Sequence, residues 1–187
     1  MKNIQITEWL TEFMKQQVRP GDLCIDATMG NGNDTLTLSS LCMETGQVLA
    51  FDIQEQALSR TRQLLEEKSP FRNYRLILDS HEHLELYAQP ETVSCIVFNF
   101  GYLPGSDHRL STQTESSLTA LGAALRLLKR EGLLCLCLYS GKDTGFEERE
   151  AILRWLKGLD PRQYLVICCE YYNRANHPPL PVLVIKL

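Results

Sequence analysis

Short apolar runs alternate along this chain with longer segments in which apolar residues recur at helical spacing. The run Val93–Phe98 is apolar at almost every position, which is typical of a strand covered on both faces. Between Thr112 and about Leu128 the leucines recur every three or four residues, which predicts a helix with one apolar face. Repeated alternation of this kind predicts an α/β fold built on a parallel sheet.

The complete pattern predicts seven strands with helices on both faces of the sheet. The last two strands follow each other without a helix between them, so they are most simply an antiparallel pair, and the sheet is mostly parallel with an antiparallel last strand. This is the outline of the Rossmann-like methyltransferases. With 187 residues, the chain is expected to form one domain, residues 1–187. The predicted strands begin at Leu23 and then cover 47–53, 74–78, 93–98, 133–139, 164–171 and 181–187. The predicted helices begin at about 33, 55, 112 and 146.

A glycine turn follows the first strand, in the sequence from Asp26 to Thr35. Gly30 and Gly32 lack a Cβ atom, so a ligand can approach the backbone closely. A helix opens at about Asn33 and directs its free N–H groups toward the same crevice. The dinucleotide pattern G-x-G-x-x-G is absent, whereas an acid precedes the glycines. The turn therefore predicts a nucleotide-like ligand other than a dinucleotide.

The second strand ends in Asp52, about twenty residues after the glycines. A carboxylate at this point of a doubly wound sheet can accept hydrogen bonds from both ribose hydroxyls. Asp26 and Asp34 make the first turn acidic, which suits the cationic sulfonium and amino groups of S-adenosylmethionine. We therefore predict this cofactor; the alternative is a glycine turn that only closes a βαβ unit.

Composition limits the remaining possibilities. No apolar run approaches the roughly 20 residues of a membrane span, and the amino terminus does not have the apolar core of a signal peptide. The seven cysteines are odd in number and mostly lie in apolar runs, so we expect buried thiols in a cytoplasmic protein and no metal site. A net charge of −4 argues against a strongly basic nucleic-acid binder, although it leaves room for a local basic patch.

The loop after the fourth strand, from Asn99 to His108, carries the candidate chemistry. The amide oxygen of Asn99 and the carbonyls of the next three residues, including Gly101, can accept hydrogens from an amine. Tyr102 offers a flat face for a base. Asp107 and His108 are candidates to orient the acceptor or take its proton, because a protonated amine has no lone pair with which to attack. The alternative for Asp107 is a cap on the next helix.

Two further clusters contain polar side chains. His81 and His83 resemble a metal pair, but no other His or Cys pair has ligand spacing, so a position beside the adenine is expected for Ser80 and His81. The turn between the last two strands presents hydrogen-bond donors to a phosphate or a base edge. These donors are Asn173, Arg174, Asn176 and His177. The pattern leaves open whether this turn borders the cleft or a dimer contact.

Taken together, these motifs resemble the bacterial family labelled "putative rRNA methylase". The resemblance runs from about Ile25 to Lys186, although Phe100 and Ser106 stand where a smaller aliphatic residue and a glycine are expected. It implies a class I S-adenosylmethionine-dependent methyltransferase that acts on tRNA. The implied reaction converts 5-aminomethyl-(2-thio)uridine at the wobble position to its methylaminomethyl form. The motifs that carry the resemblance are 26–35, 51–54, 81–84, 99–108 and 176–179.

The resemblance also implies roles for individual residues. The methionine part of the cofactor is expected at Asp26, Gly30, Asn31, Gly32 and Asn33, with support from Asp34 and Thr35; ribose and adenine are expected at Asp52, Gln54, Ser80 and His81. Asn99, Gly101 and Tyr102 are expected to border the methyl group. Apart from the resemblance, the two subunits of a homodimer would extend a basic patch for tRNA, and the alternative is that most of its residues are solvated helix and loop charges. The patch residues are Arg72, Arg75, Arg109, Arg126, Lys129, Arg130 and Arg174. The alternatives are a methyltransferase for rRNA or a small amine, and a non-catalytic S-adenosylmethionine-binding regulator.

Overall fold

Seven strands form one sheet in the order β3-β2-β1-β4-β5-β7-β6. The computed structural model describes residues 6–100, 114–139, 145–174 and 178–187. The strands are β1 (Leu23–Asp26), β2 (Gln47–Asp52), β3 (Tyr74–Leu78), β4 (Val93–Phe100), β5 (Leu128–Leu138), β6 (Tyr164–Cys168) and β7 (Leu180–Lys186). The helices are α1 (Ile6–Gln17), α2 (Asn33–Cys42), α3 (Glu55–Lys68), α4 (Thr114–Leu127) and α5 (Gly145–Lys157), with a 3₁₀ helix at His81–Leu86.

Both faces of the sheet are covered, which explains why its central strands are apolar throughout. In β4 every residue from Val93 to Phe98 is buried. One core joins the sheet to α4, α5 and the 3₁₀ helix, with Phe51 and Phe98 among its largest side chains. The other core lies under α1 and α2 and includes Met14 and Leu38. No helix in the described part of the chain is long and apolar enough to cross a membrane.

The strand order reverses between β1 and β4. β1 pairs in parallel with β2 on one side, where Asp26 lies opposite Ala50, and with β4 on the other, where Asp26 lies opposite Val97. Helices on either side of such a reversal diverge, and the resulting crevice beyond the carboxyl ends of the strands is where ligands bind in open α/β sheets. The described site residues that the sequence predicts after β1, β2 and β3 lie at this edge, together with Asn99 near the end of β4.

The antiparallel end of the sheet confirms the prediction for the last strands. β7 pairs antiparallel with both β5 and β6. Because Leu138 at the end of β5 lies opposite Leu180 at the start of β7, the turn between β6 and β7 lies at the same edge as the glycine turn. The predicted bounds of β4 and β5 were too short, since β4 continues through Phe100 and β5 begins at Leu128.

Candidate active site

The glycine turn after β1 requires glycine for two separate reasons. Gly30 and Gly32 have φ values of 49° and 82°, in the left-handed region that other residues rarely adopt. A Cβ atom on Gly32 would also lie 2.9 Å from both Cγ2 and Oγ1 of Thr61, and 3.0 Å from its Cα. The Thr61 hydroxyl donates to the Gly30 carbonyl at 3.1 Å, so α3 packs directly against the turn.

Asp26 joins the end of β1 to the first turn of α2. Its fully buried carboxylate accepts a hydrogen bond from the Thr35 hydroxyl at 2.6 Å and another from the Thr28 N–H at 3.2 Å. Thr35 is also fully buried. These two contacts fix the glycine turn at both of its ends, so that its backbone faces the crevice in a set conformation.

Asp52 connects the turn after β1 to the turn after β2. One carboxylate oxygen accepts the Gly30 N–H at 3.1 Å, and the other accepts the Gln54 N–H at 3.0 Å. Gln54 is also the residue that precedes α3. Asp52 is partly exposed, so its carboxylate can accept further hydrogen bonds from a ligand while it holds both turns.

Asn99 lies inside β4 and not in a loop, contrary to the sequence prediction. β4 stays paired with β5 up to Phe100, which lies opposite Leu138. The Asn99 backbone N–H donates to the Thr28 hydroxyl at 2.7 Å, and its side-chain Nδ2 donates to Asp34 at 2.6 Å. Because the amide nitrogen is held by a carboxylate, the amide oxygen Oδ1 is the end of the side chain that can accept a hydrogen bond.

Three carboxylates therefore meet around the glycine turn. Burial raises the pKa of Asp26, Asp34 and Asp52, and the nearby Asp34 raises the pKa of Asp26 further, to about 7. In the described part of the chain, no lysine or arginine forms an ion pair with any of the three. A group of like charges with no counter-charge among the described residues favours a cationic ligand, because a cation stabilises the ionised carboxylates. The site thus fits the sulfonium and ammonium groups of S-adenosylmethionine.

The segment after β3 borders Asp52 on its other side. The N–H of Asp79 donates to the Asp52 carbonyl at 3.1 Å. Ser80 caps the 3₁₀ helix by accepting the Glu82 N–H at 3.2 Å. The neighbouring His83 bonds Asp79 through Nδ1 at 2.7 Å, which raises the pKa of His83. These contacts place Ser80 next to a residue that is hydrogen-bonded to Asp52, and they give His83 a carboxylate partner.

His81 points inward from the same segment. Its ring contacts Phe98 and Phe100 edge-on, with centroid separations of 5.9 and 6.3 Å. Burial lowers the pKa of His81, and its buried Nε2 has no hydrogen-bond partner among the described residues. A neutral imidazole with one unsatisfied nitrogen at this edge is suited to a polar ligand atom.

The remaining predicted residues divide into those that the structure places and those that it does not describe. Asn31 is exposed in the glycine turn and accepts from Arg60 at 3.3 Å, while Asn33 begins α2. Asn173 and Arg174 are exposed in the turn after β6, at the same edge of the sheet. The following predicted residues lie outside the described residues: Gly101, Tyr102, Asp107, His108, Arg109, Asn176 and His177.

Two residues at the site were missed by sequence reasoning. Thr28 holds the backbone of Asn99, and the Tyr139 N–H donates to the Phe100 carbonyl at 3.3 Å. Burial raises the pKa of Tyr139, and Asp34 is near enough to raise it further. The sequence contained one signal for each residue. Thr28 is a hydroxyl residue two positions after Asp26, and Tyr139 is an aromatic residue at the end of a predicted strand.

Comparisons with known proteins agree with this geometry. Residues 48–185 match the family described as "Putative rRNA methylase". The chloroplastic tRNA (mnm(5)s(2)U34)-methyltransferase of Arabidopsis thaliana is 37% identical over 190 residues, which cover 95% of this chain and 67% of the relative. A solved structure described as a "putative rRNA-methylase" from Clostridium thermocellum is 38% identical, covers 100% of both chains and has a TM-score of 0.95. SMU.1697c, a "putative methyltransferase" from Streptococcus mutans solved in complex with SAH, is 37% identical, with a TM-score of 0.88 over 98% of this chain and 99% of that one.

Proposed function

We propose that this chain, which belongs to the "Putative rRNA methylase" family, methylates the 5-aminomethyl group of the wobble uridine in tRNA. The chain is an S-adenosylmethionine-dependent methyltransferase, and S-adenosylmethionine is its cofactor. The tRNA substrate is supported by the activity that the Arabidopsis thaliana relative is named for, which concerns a modified uridine at position 34. The proposed product is 5-methylaminomethyl-(2-thio)uridine.

The observation that carries the proposal is the fixed amide of Asn99. Its backbone and its amide nitrogen are held by Thr28 and Asp34, at 2.7 and 2.6 Å, so the oxygen Oδ1 has a set position at the carboxyl edge. An uncharged amine carries two hydrogens and one lone pair. When one hydrogen is bound by Oδ1, the lone pair takes a defined direction. Positioning of this kind can supply much of the rate in a reaction that needs little acid-base help.

The cofactor would be held by the residues around the two turns. In this proposal Asp26 and the segment from Gly30 to Asn33 bind the methionine part, and Asp52 binds the ribose. Ser80 and His81 border the adenine. S-adenosylmethionine, when bound, supplies the methyl group. The roles of Gly101, Tyr102, Asp107 and His108 beside the acceptor remain part of the proposal.

The test is transfer of labelled methyl groups to total tRNA from cells that lack this gene, followed by mass analysis of the nucleosides. We expect a methylaminomethyl-uridine product from the wild-type protein and from Gln89→Ala, a control that removes an exposed amide near the opposite edge of the sheet. Asn99→Ala should lose most of its turnover while it keeps its affinity for S-adenosylmethionine.

Each other result points to a different function. Label in ribosomal RNA or in small molecules, with none in tRNA, would overturn the wobble-uridine assignment. Cofactor binding without transfer to any acceptor would indicate a non-catalytic binding module.

The proposal also includes a single domain for residues 1–187, a cytoplasmic location and a homodimer that contacts the anticodon loop. The homodimer is supported by the edge strand β6, where Leu165 and Ile167 are 47% and 38% exposed. Two exposed aliphatic side chains on an unpaired sheet edge favour contact with another chain. Sedimentation equilibrium should show a dimer for the wild type and a monomer for Leu165→Glu. A monomeric wild type would refute the dimer.

A further inference from the structure

A cleft lies at the active edge of the sheet, beyond β5 and β7. We call it the arginine cleft. It is lined mainly by Arg149, Glu170, Tyr171, Arg174 and the pair Pro178–Pro179. Arg149 comes from the first half of α5, whereas the other residues come from the turn between β6 and β7. The fold thus brings together two arginines that are well separated in the sequence.

The position of the cleft relative to Asn99 follows from strand pairing. Asn99 lies opposite Cys137 on β5, and Leu138 lies opposite Leu180, which lines the cleft. Since neighbouring strands are about 4.8 Å apart, the start of β7 lies about 10 Å from the end of β4.

The side chains of the arginine cleft suit a phosphate. The Arg174 guanidinium lies over the Tyr171 ring, 5.8 Å from its centroid, a contact that orients the guanidinium. A guanidinium presents a planar fork of donors that matches two phosphate oxygens. The cleft is lined by two arginines and one glutamate, so positively charged side chains outnumber negatively charged ones in its lining.

An aromatic ring lies beside this positive charge. Tyr172 follows Tyr171 directly and is 101% exposed, so its ring packs against nothing in the described part of the protein. A fully exposed aromatic side chain gains nothing from folding, whereas base stacking on such rings is a large and sequence-tolerant part of single-strand binding. The turn therefore offers both contacts that a single-stranded nucleotide needs.

We propose that the arginine cleft binds a backbone phosphate of RNA close to the methylated nucleotide, while Tyr172 stacks on a nearby base. The inference rests on the proposed function for its RNA substrate. It assigns to Arg149, Tyr171 and Tyr172 a role in substrate binding that the sequence motifs did not indicate.

The experiment compares Arg149→Gln/Arg174→Gln with the wild type in methyl transfer to tRNA. We expect a rise of about tenfold in KM, unchanged affinity for S-adenosylmethionine and unchanged turnover at saturating tRNA. The plot of log affinity against log salt should lose about 0.7 of its slope for each arginine removed. Arg162→Gln is the matched control, because Arg162 is an exposed arginine beyond the opposite end of β6 and should leave KM unchanged.

Two variants keep the test independent of folding effects. Glu170→Gln removes the negative charge from the cleft, so its KM should fall, which a loss of folding cannot produce. Tyr172→Ala removes a ring that touches nothing in the described part of the protein, so its thermal unfolding should be unchanged while its KM rises at least fivefold. A normal KM and salt slope in the double arginine variant would overturn the proposal.

Direct binding separates the two levels of inference. If wild-type protein transfers methyl groups to tRNA and the arginine variant binds tRNA equally well in fluorescence anisotropy, only the arginine cleft is refuted. If the wild type transfers nothing to tRNA, the proposed function is refuted. Anisotropy with the same tRNA then still decides the cleft, since weaker binding by the double variant would support it and equal binding would overturn it.

Discussion

Replacement of Gly32 by alanine should destabilise the protein and weaken cofactor binding together. The new Cβ would lie 2.9 Å from two side-chain atoms of Thr61, at a backbone φ of 82°. The left-handed conformation costs a non-glycine residue about 1–2 kcal/mol, and forced overpacking costs about 1–3 kcal/mol. Alanine also leaves the unfolded chain fewer conformations than glycine does, which offsets about 0.4–1 kcal/mol of this cost. The net loss should therefore be about 1–4.6 kcal/mol, which is below the total stability of about 5–15 kcal/mol of a typical domain.

Urea unfolding measures this loss, and a second substitution separates its two causes. Thr61→Ala removes the two closest side-chain atoms, so in the double variant the overpacking cost should largely disappear while the cost of φ remains. Gly122→Ala is the matched control, because its Cβ would meet only Arg126 Nη1, at 3.6 Å in α4, and helix propensity favours alanine there. A change below about 0.5 kcal/mol in Gly32→Ala, a typical surface-substitution effect, would refute this reasoning.

Three further predictions concern buried and charged groups. Asp52→Asn should weaken S-adenosylmethionine binding at least tenfold in calorimetry, because hydrogen bonds to a charged acceptor contribute about 1.5–3 kcal/mol; an unchanged Kd would contradict this role. The pKa of Asp26 is about 7 in the folded protein, against an ordinary value of 3.8. Between these two pH values the folded protein holds a proton that the unfolded chain has released. The contribution of Asp26 to the free energy of unfolding therefore falls as pH rises through this range. Affinity for the cationic cofactor should rise over the same range, and a flat Kd between pH 6 and 8 would argue against this coupling. Ser117→Ala removes a 2.5 Å hydrogen bond to the buried Glu148 and should cost about 1–3 kcal/mol in thermal unfolding, whereas the exposed Thr119→Ala should change little.

The sequence predicted elements well where periodicity was strong. β3 has the predicted bounds, and α2 and α3 begin at Asn33 and Glu55 as expected. β5 differs because Glu131 adopts a φ of 62° and the pairing with β4 shifts its register, which lets an irregular segment with charged residues stay in the strand. α1 was not predicted, although Leu10, Met14 and Val18 have helical spacing and are buried.

The site was predictable only in part. Some of its contacts follow from the general geometry of a parallel sheet, whereas others join residues far apart in the chain and depend on the register of the strands. A glycine turn and an acid at the ends of neighbouring strands meet in any parallel sheet, so the contact between Gly30 and Asp52 could be expected. The bonds from Asn99 to Thr28 and Asp34 join residues 71 and 65 positions apart. They require the exact register of β1 on β4, which local patterns do not specify.

An acidic protein can serve an RNA substrate if its charges are separated within the fold. At the active edge, Asp26, Asp34 and Asp52 lie on the β1 and β2 side of Asn99, where a cationic cofactor needs them. The arginine cleft lies on the other side, beyond β5 and β7. Charges separated by more than about 8–10 Å are largely screened from each other at physiological salt. In the proposed reaction the carboxylates can therefore bind the cationic cofactor while the arginine cleft binds RNA. The net charge of the whole chain predicts neither of these two ligands.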